Sequence, residues 1–162
     1  MPVPPLRERY SIVPLDRHHD REAFRCGVEA LDRYLREQAR QDARRKVATL
    51  FVAEEQATGA VGGFYTLSMA AVPVGLLPES LRKKMPRYPT VPAVRLGRLA
   101  VAVEAQGIGL GAHLLMDAMA RSLGSEIAWA ALVVDAKDDT ARSFYAKYGF
   151  RSLLDDPNRL FL

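Results

Sequence analysis

The sequence predicts an α/β fold with a mixed sheet, and three observations support this. Stretches typical of strands alternate with stretches typical of helices along the 162 residues. The linker QATG, residues 56–59, separates two β-rich runs and indicates an antiparallel hairpin. Three glycines, Gly107, Gly109 and Gly111, lie where a strand-like segment turns into a helix-like one. We expect a single compact domain over residues 1–162, since domains of roughly 150 residues are common.

The predicted order of elements is β-α-β-β-loop-β-α-β-α-β. Apolar residues at steps of three and four indicate the helices, and runs rich in β-branched residues indicate the strands. The proline-rich stretch 73–92 predicts a short helix followed by an extended surface loop. The expected elements are strand 10–15, helix 27–45, strands 47–55 and 60–72, strand 93–103, helix 109–123, strand 128–136, helix 140–148 and a final strand near 159–162.

Composition excludes several classes of protein. The first residues are interrupted by proline and charge where a signal peptide needs an apolar stretch, and no segment approaches the ~18 apolar residues of a membrane span. The single cysteine, Cys26, excludes a disulfide framework and a cysteine-rich metal site. His18 and His19 have no third well-spaced ligand in the sequence, so no metal site is predicted. We expect a cytoplasmic protein without a membrane partner.

Positive charge is concentrated in the first part of the chain. Residues 1–98 hold 17 Lys and Arg against 11 Asp and Glu, a net charge of +6, whereas residues 99–162 hold 6 against 8, a net charge of −2. This distribution is compatible with an anionic partner, although a basic surface that is simply solvated is the more ordinary interpretation.

The three glycines suggest a site for a phosphate group. A strand that leads directly into a helix leaves main-chain N–H groups unpaired, and their dipoles favour an anion. Glycines let the main chain approach such a ligand and adopt positive φ. Gly107, Gly109 and Ala112 also satisfy the dinucleotide fingerprint G-x-G-x-x-G/A, but that fingerprint belongs to the first strand-helix turn of its fold. An ordinary surface turn is the third interpretation.

Two sequence blocks resemble the GNAT superfamily of acetyl-CoA-dependent N-acetyltransferases. QGIGLG, residues 106–111, is similar to the Q/R-x-x-G-x-G/A signature, and ARSFYAKYGF, residues 141–150, is similar to the later A-x-x-F-Y-x-x-x-G-F helix. The resemblance implies a GNAT-like fold with a mixed, mostly antiparallel central sheet flanked by helices, and acetyl-CoA as the acetyl donor. The cofactor-binding residues it implies are Leu99, Ala100, Val101, Gln106, Gly107, Ile108, Gly109, Leu110, Gly111, Ala112 and Phe144.

A closer resemblance covers most of the chain. FRCGVEALDRYLREQARQD, GFYTLSMAAV, PRYPTVPAVRLGRLAV and VVDAKDDTARSFYAKYGF are similar to the TacT-type and AtaT-type acetyltransferase toxins of bacterial toxin-antitoxin systems. This implies acetylation of the α-amino group of aminoacyl-tRNA, which blocks translation, with a ribbon-helix-helix antitoxin as partner and a homodimeric toxin. The chain departs from this family at one position. A polar or acidic residue often follows LAV in the family, whereas Ala102 follows it here.

Tyr145 is the residue that the resemblance assigns to catalysis, as the Tyr of the F-Y block. A phenol with a pKa of about 10 stays protonated near neutrality and can donate a proton to the leaving thiolate. The alternative role of an aromatic residue on a helix is core packing. We expect Ala141, Phe144 and Tyr148 to form the core stripe, with Tyr145 one step round from Phe144.

No strong general base is evident in the sequence. An α-amino group has a pKa of about 8, so part of it is neutral at cellular pH, which favours an α-amino acceptor over a lysine side chain. A water relayed through Glu104 remains an alternative.

Basic residues at the end of the first predicted helix, in the loop before the expected cofactor strand and at Arg98 are candidates for RNA contact. Phosphate contacts need positive surface but no particular base sequence. The candidates are Arg40, Arg44, Arg82, Lys83, Lys84, Arg87 and Arg98. Two other functions stay open at this point: an enzyme of the same fold that acetylates a small amine or a protein N-terminus, and a non-enzymatic basic module that binds nucleic acid.

Overall fold

A computed structural model describes Pro2 and residues 4–162 of the chain. The described residues contain seven strands. They are β1 (Tyr10–Pro14), β2 (Thr49–Glu55), β3 (Val61–Pro73), β4 (Thr90–Val101), β5 (Ala131–Asp135), β6 (Arg151–Leu153) and β7 (Asp156–Phe161).

Six α-helical segments and one π-helical segment lie in the described part of the chain. They are α1 (Leu6–Arg9), α2 (Glu29–Arg33), the π-helix (Tyr34–Gln38), α3 (Ala39–Arg44), α4 (Glu79–Arg82), α5 (Leu110–Leu123) and α6 (Asp139–Lys147). The predicted helix over 27–45 is therefore a continuous helical stretch whose middle turn is wider than an α-helix. None of the helices among the described residues combines the length and apolar character needed to span a membrane.

The strands form a mixed sheet in the order β1-β2-β3-β4-β5-β7-β6. The pairs β1–β2, β2–β3, β5–β7 and β6–β7 are antiparallel, whereas β4 pairs with β5 in parallel between residues 93–96 and 131–134. The predicted α/β class and the hairpin around residues 56–59 are confirmed. The prediction of a single final strand near residues 159–162 is wrong, because this part of the chain forms a second hairpin, β6–β7.

Two compact units divide the chain, and strands β3 and β4 continue from one into the other. The first unit comprises residues 1–67 and 98–123, and the second comprises 68–97 and 124–162.

In the first unit, helices cover both faces of the sheet. Leu50–Ala53 and Val61–Thr66 are buried without interruption, which is typical of strands covered on both sides. Phe64 packs against Phe24 and Tyr34 on one face, whereas the neighbouring Tyr65 bonds to Asp117 of α5. Successive strand residues point to opposite faces, so the helices around Tyr34 and α5 lie on opposite sides.

A close backbone approach seats α5. An added Cβ at Gly63 would lie 2.8 Å from the Ala100 carbonyl oxygen and 2.8 Å from Leu114. Only glycine fits at this position of β3, and it lets β3 lie this close to both β4 and α5.

The second unit has its own apolar core. It is formed by Val72, Leu77, Val91, Ala93, Ala131, Val133, Leu153 and Phe161. The segment 74–85 packs its own apolar side chains, among them Leu81 and Met85, against this cluster. The proline-rich stretch is therefore partly a core element here, beyond the surface loop that the sequence predicted.

Candidate active site

The glycine loop, residues 106–111, joins β4 to α5 in the first unit. Gly107 has φ +81° and Gly109 has φ +87°, both in the left-handed region that favours glycine. An added Cβ at Gly107 would meet nothing within 4 Å, so this side of the loop is open.

The main-chain N–H groups at the start of α5 make no hydrogen bond of ordinary geometry within the part of the chain that the structure describes. The first helical hydrogen bond runs from His113 N–H to the Gly109 carbonyl, at 3.0 Å. No acceptor among the described residues takes an N–H from residues 107–112. A row of unpaired donors at the start of a 14-residue helix is a site for an anion.

Gln106 holds the loop in place through its side chain. Its Nε2 donates to the Cys26 carbonyl at 2.9 Å and to the Val101 carbonyl at 3.0 Å. The Cys26 N–H in turn donates to the buried carboxylate of Asp32 at 2.9 Å. Spacing along the chain gave no sign of this support, since Cys26 and Gln106 are 80 residues apart.

The segment Leu99–Val101 is extended and ends directly before the glycine loop. Ala100 is buried, whereas Leu99 and Val101 are half-buried. The Val101 carbonyl accepts from the Gln106 side chain and so already has a partner within the protein. Glu104, the candidate relay residue, is exposed in a 3-10 turn, Val103–Ala105.

Tyr145 lies on α6 in the second unit, and its ring is buried. It makes edge contacts with Phe144 and Phe150 at centroid distances of 5.3 and 5.5 Å. Burial raises the pKa of Tyr145 to about 12. No residue that the structure describes accepts or donates a hydrogen bond at its hydroxyl. The group therefore holds its proton at neutral pH and offers it to no protein acceptor.

The core stripe expected for α6 is wrong. Tyr145 is the buried residue of this helix at 8% exposure, while Ala141, Phe144 and Tyr148 are half-buried. The physical reason is the turn after the helix, where Phe150 N–H bonds to the Tyr145 carbonyl and brings Phe150 onto the Tyr145 ring. Asp138 begins the helix by accepting the Ala141 N–H at 2.8 Å.

Arg98 stacks on Tyr34 in the first unit. Its guanidinium carbon lies 3.5 Å from the centre of the Tyr34 ring. The Tyr34 hydroxyl donates to Asp42 at 2.8 Å, and burial, followed by this bond, raises the Tyr34 pKa. The bond from Gln38 is the main cause that lowers the pKa of Asp42, with Tyr34 and Arg98 contributing. Sequence analysis missed Tyr34 and Asp42, because an aromatic residue on an apolar stripe normally signals packing.

The other basic candidates are on the surface of their own units. In the first unit Arg44 is exposed and Arg40 half-buried, with no ion pair among the described residues. In the second unit Lys83 pairs with Glu79 at 3.5 Å, whereas Arg82, Lys84 and Arg87 are exposed and unpaired within the part of the chain described.

Glu54 joins His18 and His19 in one cluster of the first unit, with potential ligand atoms within 4.8 Å of one another. The sequence did not reveal this third residue. The Asp16 N–H donates to His19 Nδ1 at 2.9 Å, so the neutral ring carries its proton on Nε2, which lies 3.7 Å from Glu54. A protonated nitrogen cannot ligate a metal, and the arrangement favours a contact between His19 and the Glu54 carboxylate instead.

Comparison with known proteins agrees with this geometry. The family model described as "Acetyltransferase (GNAT) domain" matches residues 19–159. The chain is 37% identical over 145 residues to a tRNA-acetylating toxin of Mycobacterium tuberculosis (strain ATCC 25618 / H37Rv), covering 88% of this chain and 85% of that protein.

Solved structures of similar proteins extend the comparison. A tyrosine-to-phenylalanine mutant of KacT superposes with a TM-score of 0.88 at 29% identity, over 95% of this chain and 94% of that one. AtaT complexed with acetyl-methionyl-tRNAfMet gives a TM-score of 0.85 at 33% identity, over 94% of each chain. Other similar structures are AtaTR bound with AcCoA and an AtaT mutant bound to the C-terminus of the antitoxin AtaR. The chain belongs to the GNAT family of acetyltransferases.

Proposed function

We propose that this protein is a toxin that transfers acetyl from acetyl-CoA to the α-amino group of aminoacyl-tRNA and so blocks translation. The enzyme class follows from the family, and the acceptor is supported by the similarity to a tRNA-acetylating toxin and to AtaT bound to acetyl-methionyl-tRNAfMet. The observation that carries the proposal is the open glycine loop, with its unused N–H groups at residues 107–112.

The residues present fit acetyl-CoA. Its pyrophosphate is an anion of the kind that helix N-termini bind. Because residues 107 and 109 are glycines, no side chain at these positions separates the amides from the ligand, and their positive φ is one that glycine adopts readily. Residues Leu99–Val101 would hold the pantetheine arm through main-chain groups other than the Val101 carbonyl. Phe144, which the GNAT resemblance assigns to cofactor binding, is half-buried beside Tyr145 in the second unit.

Acetyl-CoA supplies a thioester, so the transfer forms a bond between the acceptor nitrogen and the acetyl carbon and breaks the carbon–sulfur bond. Tyr145 Oη holds the proton that the leaving sulfur takes up, because its pKa of about 12 keeps it protonated and no protein acceptor competes for it. The proton that the amine loses passes to solvent, and Tyr145 takes a proton back from solvent once the thiol has left. No strong base is needed, since part of an α-amino group with a pKa of about 8 is already neutral.

Further parts of the proposal concern the partners. The unpaired basic residues Arg40, Arg44, Arg82, Lys84 and Arg87, with Lys83 and Arg98, would contact tRNA phosphates. We also infer a homodimer, a ribbon-helix-helix antitoxin and a cytoplasmic location; antitoxin binding is supported by the AtaT–AtaR structure. Residues 1–162 would act as one acetyltransferase domain, as a family match that runs through both units supports.

Transfer of labelled acetate from acetyl-CoA tests the function. The acceptors are bulk charged tRNA, deacylated tRNA and free amino acids, with wild type and Tyr145→Phe as enzymes. Label on charged tRNA alone, lost in the variant, is the expected result. Label on small amines or protein N-termini without label on charged tRNA would replace the proposed acceptor.

A further inference from the structure

We propose that Arg98, held by Tyr34, forms a subsite for a phosphodiester near the acylated 3′ end of the acceptor RNA, with Tyr34 as its positioning residue. This inference rests on the proposed function for the identity of the ligand. It rests on the geometry of the first unit for the site itself.

The guanidinium of Arg98 is fixed in position but chemically unused. It lies 3.5 Å from the centre of the Tyr34 ring, a distance typical of a close cation–π contact. No hydrogen bond or ion pair connects it to any residue that the structure describes. A stacked guanidinium keeps its N–H groups along its edge, where they match the oxygens of a phosphate.

The neighbouring Asp42 carboxylate acts on Arg98 through its charge but does not occupy the N–H groups of Arg98. Asp42 Oδ2 accepts the Tyr34 hydroxyl at 2.8 Å, and Asp42 Oδ1 accepts the Gln38 amide at 2.9 Å. Each oxygen therefore already has a partner inside the helical stretch, and no ion pair within 4.0 Å joins Asp42 to Arg98 among the described residues. The donors of Arg98 remain available for a ligand.

Tyr34 is rigid enough to position the guanidinium. Its ring is 7% exposed and stacks on Phe64 at an interplanar angle of 19°. It begins the π-helix, whose main-chain carbonyls are reached by a side chain from outside the helix. Arg21 Nη1 donates to two of the carbonyls, those of Leu35 and Arg36, at 3.3 and 2.9 Å. The segment that presents Tyr34 is thus held by a side chain from outside the helix.

The position of Arg98 along the chain indicates which phosphate it would bind. It directly precedes the Leu99–Val101 segment, and an extended strand rises about 3.3 Å per residue. The guanidinium therefore projects from the same strand that would hold the acyl donor. The anionic groups nearest the amine of an aminoacyl-tRNA are the phosphodiesters of its 3′-terminal nucleotides.

The test measures acetylation of charged tRNA at several salt concentrations for four enzymes: wild type, Arg98→Gln, Tyr34→Phe and, as a charge-matched control, Arg17→Gln. Arg17 is exposed and has no side-chain role in the proposed site. Loss of one phosphate contact lowers the slope of log KM against log salt by about 0.7–0.9. We expect the lower slope, together with a KM raised about tenfold, in Arg98→Gln alone.

Tyr34→Phe keeps the ring and the charge but loses the bond to Asp42, so KM should rise a few-fold while the salt slope and kcat stay at the wild-type values. Arg98→Lys should restore the slope but only part of the KM, because an ammonium lacks the planar fork. The subsite would be overturned if Arg98→Gln leaves both the salt slope and KM unchanged. It would also be overturned if Arg17→Gln lowers the salt slope as much as Arg98→Gln does.

Filter binding of deacylated tRNA separates this inference from the proposed function. If wild type acetylates no charged tRNA, the function is wrong, and the binding slopes of the same variants then decide the subsite. A lower slope in Arg98→Gln alone supports it, and equal slopes reject it. Circular dichroism melting verifies that each variant is folded.

Discussion

Two regions of the first unit use the same chemical groups in opposite ways. Beneath α5, Tyr65 donates to Asp117 at 2.5 Å, Arg121 donates to Asp117 at 2.8 Å and to the Ile12 carbonyl at 3.0 Å, and Arg121 also covers Phe51. At the start of the same helix, the N–H groups of residues 107–112 have no partner among the described residues. A satisfied network ties elements together, whereas a set of fixed and unsatisfied donors is suited to a ligand.

The same contrast distinguishes the buried tyrosines. Tyr65 and Tyr145 are both buried, and burial raises the pKa of both. The Tyr65 hydroxyl has a carboxylate partner, whereas no described residue bonds to the Tyr145 hydroxyl. Burial alone therefore does not identify the catalytic candidate; the missing partner does.

The largest expected effect is that of Tyr145→Phe on turnover. It removes the proposed proton donor and keeps the ring, so kcat should fall about 100-fold or more while the affinity for acetyl-CoA stays within a few-fold. Steady-state kinetics and calorimetric titration measure the two quantities. Tyr148→Phe, directly after the same helix, is the matched control and should leave both unchanged. Equal kcat in Tyr145→Phe and wild type would contradict the acid role.

Gly109→Val should weaken acetyl-CoA binding by about 100-fold, since a β-branched side chain at φ +87° strains the loop that presents the amides. Titration calorimetry measures the affinity. Gly59→Val is the control, because Gly59 also has positive φ, +77°, but lies in the β2–β3 turn. Both variants should lose stability, and only Gly109→Val should lose the ligand. Unchanged affinity in Gly109→Val would remove the glycine loop from the site.

Tyr65→Phe should reduce the free energy of unfolding by about 1–2 kcal/mol, because Asp117 loses one of its two donors in a partly buried setting. Urea denaturation measures this loss. The kcat should not change, which separates the structural network from the catalytic candidate. A large loss of kcat with normal stability would mean that the two regions are not distinct in function.

The smallest expected effect is a loss of stability at alkaline pH. Unfolded tyrosines ionise near pH 10, whereas burial raises the folded pKa of Tyr34, Tyr65 and Tyr145, in the last case to about 12. Their contribution is complete below pH 10 and is lost as the pH rises above it. Urea denaturation between pH 8 and pH 11 should show this decline, and Tyr65→Phe should show a shallower one. A stability independent of pH over this range would contradict the raised pKa values.

Much of the fold was predictable from local pattern. The β2–β3 hairpin and the length of α5 follow from turn residues and from apolar periodicity. The β6–β7 hairpin was not found, because β6 has only three residues and Pro157 in β7 argues against a strand. The π-helix was not found either, since a helix with one wider turn keeps nearly the same apolar spacing.

The sequence alone determined the GNAT resemblance, the glycine loop and Tyr145, because each depends on residues that are close together along the chain. Only the tertiary structure decided which donors are used. Gln106 bonds to Cys26 from 80 residues away, the Asp42 oxygens are bonded within their own helical stretch, and Arg98 stacks on Tyr34 with no hydrogen-bond partner among the residues that the structure describes. Hydrogen-bond satisfaction depends on distances of a few ångströms between residues remote in sequence, and local pattern carries no information about those distances.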